Sequence, residues 1–68
     1  MELIINHTRK TFDILPENLE ELMALEAPGR KKGIAVALNN SIIPISSWQH
    51  TLLQDQDSIL IIIATQGG

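Results

Sequence analysis

Ile59-Leu60-Ile61-Ile62-Ile63 is an unbroken aliphatic run that ends five residues before the close of the chain. Such a run predicts a strand at the centre of a sheet, because strongly apolar strands belong where neighbours cover them. Leu3-Ile4-Ile5, at the opposite end of the chain, has the same character. Two central strands from opposite ends can lie side by side as a parallel pair. That pairing forces everything between them to form the rest of the layer.

Working inward from the first strand, Asn6-His7-Thr8-Arg9 is polar and suits a hairpin turn. Lys10-Thr11-Phe12-Asp13-Ile14 alternates polar and apolar, which predicts a second strand with one buried face. Pro16 suits the first position of a helix, where a missing N–H is not needed. Glu17 and Glu20 then sit near the positive end of the helix dipole. Leu15, Leu19, Leu22 and Met23 make one apolar stripe, and Pro28-Gly29 ends the helix near Glu26 or Ala27. Arg30-Lys31-Lys32 reads as a solvated loop.

Ile34-Ala35-Val36-Ala37-Leu38 is a third strand and Asn39-Asn40 a good turn pair, since Asn tolerates positive φ. Ile42-Ile43 is a short strand that Pro44 confines to a sheet edge. Ser46-Ser47-Trp48-Gln49 suits a helical turn capped by a serine. Asp55-Gln56-Asp57 is the turn before the last strand. The order β-β-α-β-β-β predicts an α+β layer, one mixed sheet of four to five strands with one main helix on one face. With its first and last strands parallel at the centre, that layer is the β-grasp, or ubiquitin-like, fold. The expected division is a domain over 1–64 and a flexible tail over 65–68.

Composition narrows the function. Sixty-eight residues make one domain with a thin core. The formal net charge of −3 and pI near 5.1 argue against nucleic acid, which is bound chiefly by cations on phosphate. No stretch approaches the length of a membrane span and no basic leader precedes the first strand, so the expectation is no membrane and a cytoplasmic protein. There is no Cys, and His7 and His50 show no ligand spacing, so no metal is expected. Sulfur chemistry on a side chain is thereby removed, leaving only a terminal carboxyl as an attachment point. Gly67-Gly68 suits that use: without Cβ atoms, a tail can enter a channel closed to other residues. Its five residues, Ala64 to Gly68, reach at most about 17 Å at about 3.3 Å per residue.

Val36-Ala37-Leu38-Asn39, Ile42-Ile43-Pro44, Trp48, Leu53 with Asp55-Gln56-Asp57, Ile59 and the final Gly67-Gly68 together resemble the ThiS family of sulfur carriers in thiamin biosynthesis. The ordered set covers Ile34 to Gly68. It departs from the family pattern at Gln56, where Gly is frequent, and at Ile45, where Arg is frequent. The first departure predicts a turn of another shape, because a non-Gly residue at positive φ is uncommon.

The resemblance implies a carrier and not an enzyme. A ThiF-like adenylating enzyme would use ATP to activate the Gly68 carboxylate; the carrier binds no cofactor itself. A cysteine desulfurase or other sulfur donor would convert it to a thiocarboxylate. A ThiG-like thiazole synthase would take the sulfur. Gly67, Gln66 and Thr65 would thread the partner's channel. Ubiquitin-like folds place the residue equivalent to Ile59 inward, which leaves Ile4, Leu60 and Ile62 on the outer face as a docking patch.

Other groups read as structure. Asp55 and Asp57 lack further oxygen ligands and suit a turn, Glu17, Glu20 and Glu21 form a wet helix face, and neither His accompanies a nucleophile. Trp48 and Phe12 suit the core. The alternative functions are a carrier like the small subunit of molybdopterin synthase, a ubiquitin-like modifier, and an interaction module with an incidental tail.

Overall fold

The structure, a computed structural model, describes residues 1–29 and 33–63. The Arg30-Lys31-Lys32 loop, the domain boundary at 64 and the tail residues Thr65, Gln66, Gly67 and Gly68 lie outside the described residues.

Asn6 and His7 both take left-handed backbone (φ 50° and 68°), and so do Asn39 and Asn40 (48° and 74°). Two successive positive φ values make the tight turn whose twist matches that of flanking strands. The first turn joins β1 (Glu2–Ile5) to β2 (Thr8–Thr11), and the second joins β3 (Ile34–Leu38) to β4 (Ser41–Ile43). Between the hairpins runs α1 (Leu19–Glu26); after them come a short α2 (Ile45–Trp48) and β5 (Ser58–Ile63). The two hairpins flank β5, giving the five-stranded order β2-β1-β5-β3-β4. β1 and β5 are parallel and the other neighbours antiparallel, so the two aliphatic runs do meet near the centre.

One face of the sheet carries Leu3, Ile5, Val36 and Ile59, all buried, and α1 covers it with Leu19, Leu22 and Met23. Trp48 closes the core at 1% exposure, its Nε1–H donating to the Ile43 carbonyl at 2.9 Å. Each such side chain contributes about 1.5–3 kcal/mol by leaving water. Phe12, Leu15, Leu53 and Ile61 pack around this centre half-buried.

Three local expectations are corrected. The second strand is Thr8–Thr11, not Lys10–Ile14, because the turn takes only two residues and β1 has no partner left beyond Glu2↔Thr11. Its side chains are exposed throughout; Phe12 packs inward just past its end, while Ile14 is 85% exposed. Pro16 does not start α1. It is buried before the helix, and Asn18 is the cap, its Oδ1 accepting from the Glu21 N–H at 2.8 Å. An amide oxygen that satisfies an orphan N–H is the stronger start signal. α2 has no serine cap: Pro44 precedes it, and the Pro44 carbonyl accepts from the Ser47 N–H at 2.9 Å.

Candidate functional site

β5 leads from the core to the tail, and polar side chains hold its entrance. Asn39 reaches across from the β3–β4 turn: its Oδ1 accepts from the Ser58 N–H at 3.0 Å and its Nδ2 donates to Asp57 Oδ1 at 3.1 Å. The other Asp57 oxygen accepts from the Gln54 N–H at 2.8 Å, folding the turn on itself. Asp55 Oδ1 accepts from the Glu2 N–H at 2.6 Å and so ties that turn to the start of β1. From the opposite side, Asn6 Oδ1 accepts from the Ile61 N–H at 2.7 Å. Asp55 and Asp57 are therefore clasps.

Gln56 overturns the expectation of a different turn shape. It takes φ 73°, the left-handed region that Gly favours. Its N–H donates to the Glu2 carbonyl at 2.7 Å, and its Nε2 lies 3.4 Å from Glu2 Oε1. These bonds to β1 offset the cost of a side chain at positive φ.

The sheet's other face bears no helix among the described residues. Side chains of paired residues share a face, so the register assigns this one. Ile4 lies opposite Ser58; Leu60 lies opposite Ala37, which lies opposite Ile42; Ile62 lies opposite Ala35. Leu60 is 39% exposed, Ile62 46% and Ile42 65%, while Ile4 is half-buried. The structure thus brings Ile4, Leu60 and Ile62 to one outer face, with Ile59 inward. A shallow depression on it is lined by His7, Ala37, Asn40, Ser58, Ile59 and Leu60.

Ile42 was not singled out from the sequence. The signal was present: a two-residue Asn39-Asn40 turn sets Ile42 opposite Ala37, two places from the turn, on the face that Leu60 occupies. Its two alanine neighbours, Ala35 and Ala37, make a low floor between Ile42 and the β5 side chains. Ile45, at the start of α2, is 41% exposed where the family pattern often has Arg.

Among the described residues no three His, Asp or Glu side chains gather to hold a metal. Among them, too, no helix is long and apolar enough to cross a membrane.

The model of the ThiS family matches residues 4–68. A crystal structure of the thiamine biosynthesis protein ThiS from Geobacter metallireducens superposes with a TM-score of 0.83 at 23% identity, covering 100% of both chains. A solution structure of a thiamine biosynthesis protein from the same organism gives 0.82 at 23%, covering 100% of this chain and 88% of that one. At that identity the likeness shows the fold, which is the β-grasp. No curated protein sequence matches.

Proposed function

The chain belongs to the ThiS family, and on that premise we propose that it carries sulfur for thiamin biosynthesis on the carboxyl group of Gly68. The observation that carries this reading is the family match, which runs through the tail to residue 68. The fold supports it: β5, the last element before residues 64–68, is clasped on both flanks and ends at Ile63 beside an apolar face.

A carboxylate is a poor electrophile. An adenylating partner joins the Gly68 carboxylate to the α-phosphate of ATP and releases pyrophosphate. The resulting acyl-adenylate has a good leaving group: sulfide displaces AMP directly, or a desulfurase-derived persulfide displaces it to form an acyl disulfide, whose S–S bond a thiol then reduces. The product is a thiocarboxylate, from which a thiazole synthase takes the sulfur. Stabilising the charges that develop is the partner's work. The carrier's residues dock and deliver: Ile4, Leu60 and Ile62 meet the partner, and Thr65, Gln66 and Gly67 span its channel. Apolar surface of this kind on a small domain marks an interface.

The test is the intact mass of the chain after incubation with ATP, the adenylating enzyme and a sulfide source. Exchange of one oxygen for sulfur, confined to the C-terminal peptide, is expected. A chain lacking Gly67 and Gly68 should show none while unfolding at the same temperature. An unchanged mass with a competent enzyme present would refute the proposal, and stable conjugates to other proteins would point to a modifier instead.

A further inference from the structure

β1 is shorter than the strand it accompanies. Its pairing with β5 stops at Ile5↔Ile59, and the chain then turns away at Asn6-His7. β5 continues to Ile63, paired on its other side with β3 as far as Ile34↔Ile63. Beyond Ile59 one flank of β5 is therefore a sheet edge inside an otherwise central strand.

The hydrogen bonds say which groups face that edge. Asp57 and Ile59 give their carbonyls to the N–H groups of Ile4 and Asn6 at 2.9 Å each. The Ile61 N–H points the same way and is taken by Asn6 Oδ1 at 2.7 Å. Successive residues of a strand alternate direction, so the Ile61 carbonyl and the Ile63 N–H also face this flank. No strand lies there among the described residues. Asn6 works as a stop: it satisfies the last N–H beside β1 and leaves the next acceptor and donor without a partner among the described residues.

We propose that an extended segment of the adenylating partner pairs with this edge, its backbone meeting the Ile61 carbonyl and the Ile63 N–H in the berth that β1 vacates. The inference rests on the proposed function. The five residues after Ile63 span at most about 17 Å, so an active site that receives Gly68 brings that enzyme's own chain close to Ile63. An alternating acceptor and donor at strand spacing is complementary to polypeptide backbone, and edge pairing of this kind is a recurrent mode of recognition.

Ile63→Pro removes the open N–H, and the β3 pairing through Ile62 does not use it. Ile63→Ala removes the side chain and keeps the N–H. With the full chain and the adenylating enzyme, Ile63→Pro should bind at least about tenfold more weakly than Ile63→Ala, the loss expected when a hydrogen bond is left unmade in an interface. Both variants should keep the wild-type circular dichroism. Hydrogen exchange gives a second readout that needs no variant: the Ile63 amide should exchange freely in the isolated chain and slow in the complex. Equal affinities, or an Ile63 amide that stays fast in a complex that still adenylates Gly68, would overturn the edge pairing and leave the carrier function standing. Failure of the wild-type chain to bind or be adenylated would sink both. Protection of Ile63 that rises with concentration of the chain alone would assign the edge to a second copy and also overturn the proposal.

Discussion

Replacing Asn39 by Ala should destabilise the domain by about 2–3 kcal/mol. Two terms add. The side chain makes two hydrogen bonds, to the Ser58 N–H and to Asp57 Oδ1. Both are exposed, so water replaces them partly and their combined loss is about 1 kcal/mol, the low end for such bonds. The backbone term is separate: Asn39 sits at φ 48°, where a Cβ without a polar group costs about 1–2 kcal/mol. At roughly 0.05–0.15 kcal/mol per residue, a domain of this size has only about 3–10 kcal/mol to lose. The melting temperature should therefore fall by roughly 10–20 °C. Urea unfolding followed by Trp48 emission is the assay, because that indole is buried and moves into water on unfolding. Asn39→Gly separates the terms: it loses the hydrogen bonds, tolerates the φ, and should cost less than Ala. Asn39→Asp tests the contact with Asp57. It keeps the acceptor for Ser58 but sets two carboxylates together, so it should be less stable than wild type at neutral pH, by a deficit that added salt narrows. An Ala variant within about 0.5 kcal/mol of wild type, or Ala and Gly variants of equal stability, would refute the reasoning.

Ile62→Asp should leave circular dichroism and melting nearly unchanged, since Ile62 is 46% exposed, yet weaken binding to the adenylating enzyme; global unfolding would show that this face is core. Ile42→Asp should do the same, and an unaffected affinity would limit the docking surface to β1 and β5. Gln56→Gly relieves a side chain at φ 73° but frees the unfolded chain, so stability measured in urea should change by no more than about 1 kcal/mol; a larger loss would show that the Gln56 amide contact to Glu2 matters more than its length of 3.4 Å implies. Trp48→Phe should cost about 1–2 kcal/mol by leaving the Ile43 carbonyl unpaired in a half-buried site, and a neutral result in thermal melts would refute that bond.

The two aliphatic runs were enough to read the β-grasp layer, because burying both of them admits few arrangements of five short strands. β3 was readable to the residue, since Ala alternates with larger side chains and an Asn pair closes it. β2 was not. Its side chains face water throughout, so periodicity pointed past its end to Phe12, which packs on the core from outside the strand. Pro16 fits the first position of a helix by propensity, and the actual start of α1 at Asn18 is decided by the hydrogen bond from the Glu21 N–H. The clasps were invisible for another reason. Asn6, Asn39, Asp55 and Asp57 read as turn formers, and they are, but their side chains act across 18 to 55 residues of sequence, where no local pattern can show it. Three of the residues that carry the family resemblance, Asn39, Asp55 and Asp57, are among these. They hold β5 in place and touch none of the proposed chemistry.

That placement decides how the domain responds to a pull. A load applied to the tail runs along β5, which is flanked by β3 on one side and β1 on the other. Hydrogen bonds of a sheet lie across the strands. Traction along β5 therefore strains its pairing with β3, its shorter pairing with β1 and the Asn6 and Asn39 clasps in shear, all at once. Nothing lets the strand peel away one rung at a time. If the proposed partner draws in the residues after Ile63, it pulls on a body that resists as a single piece.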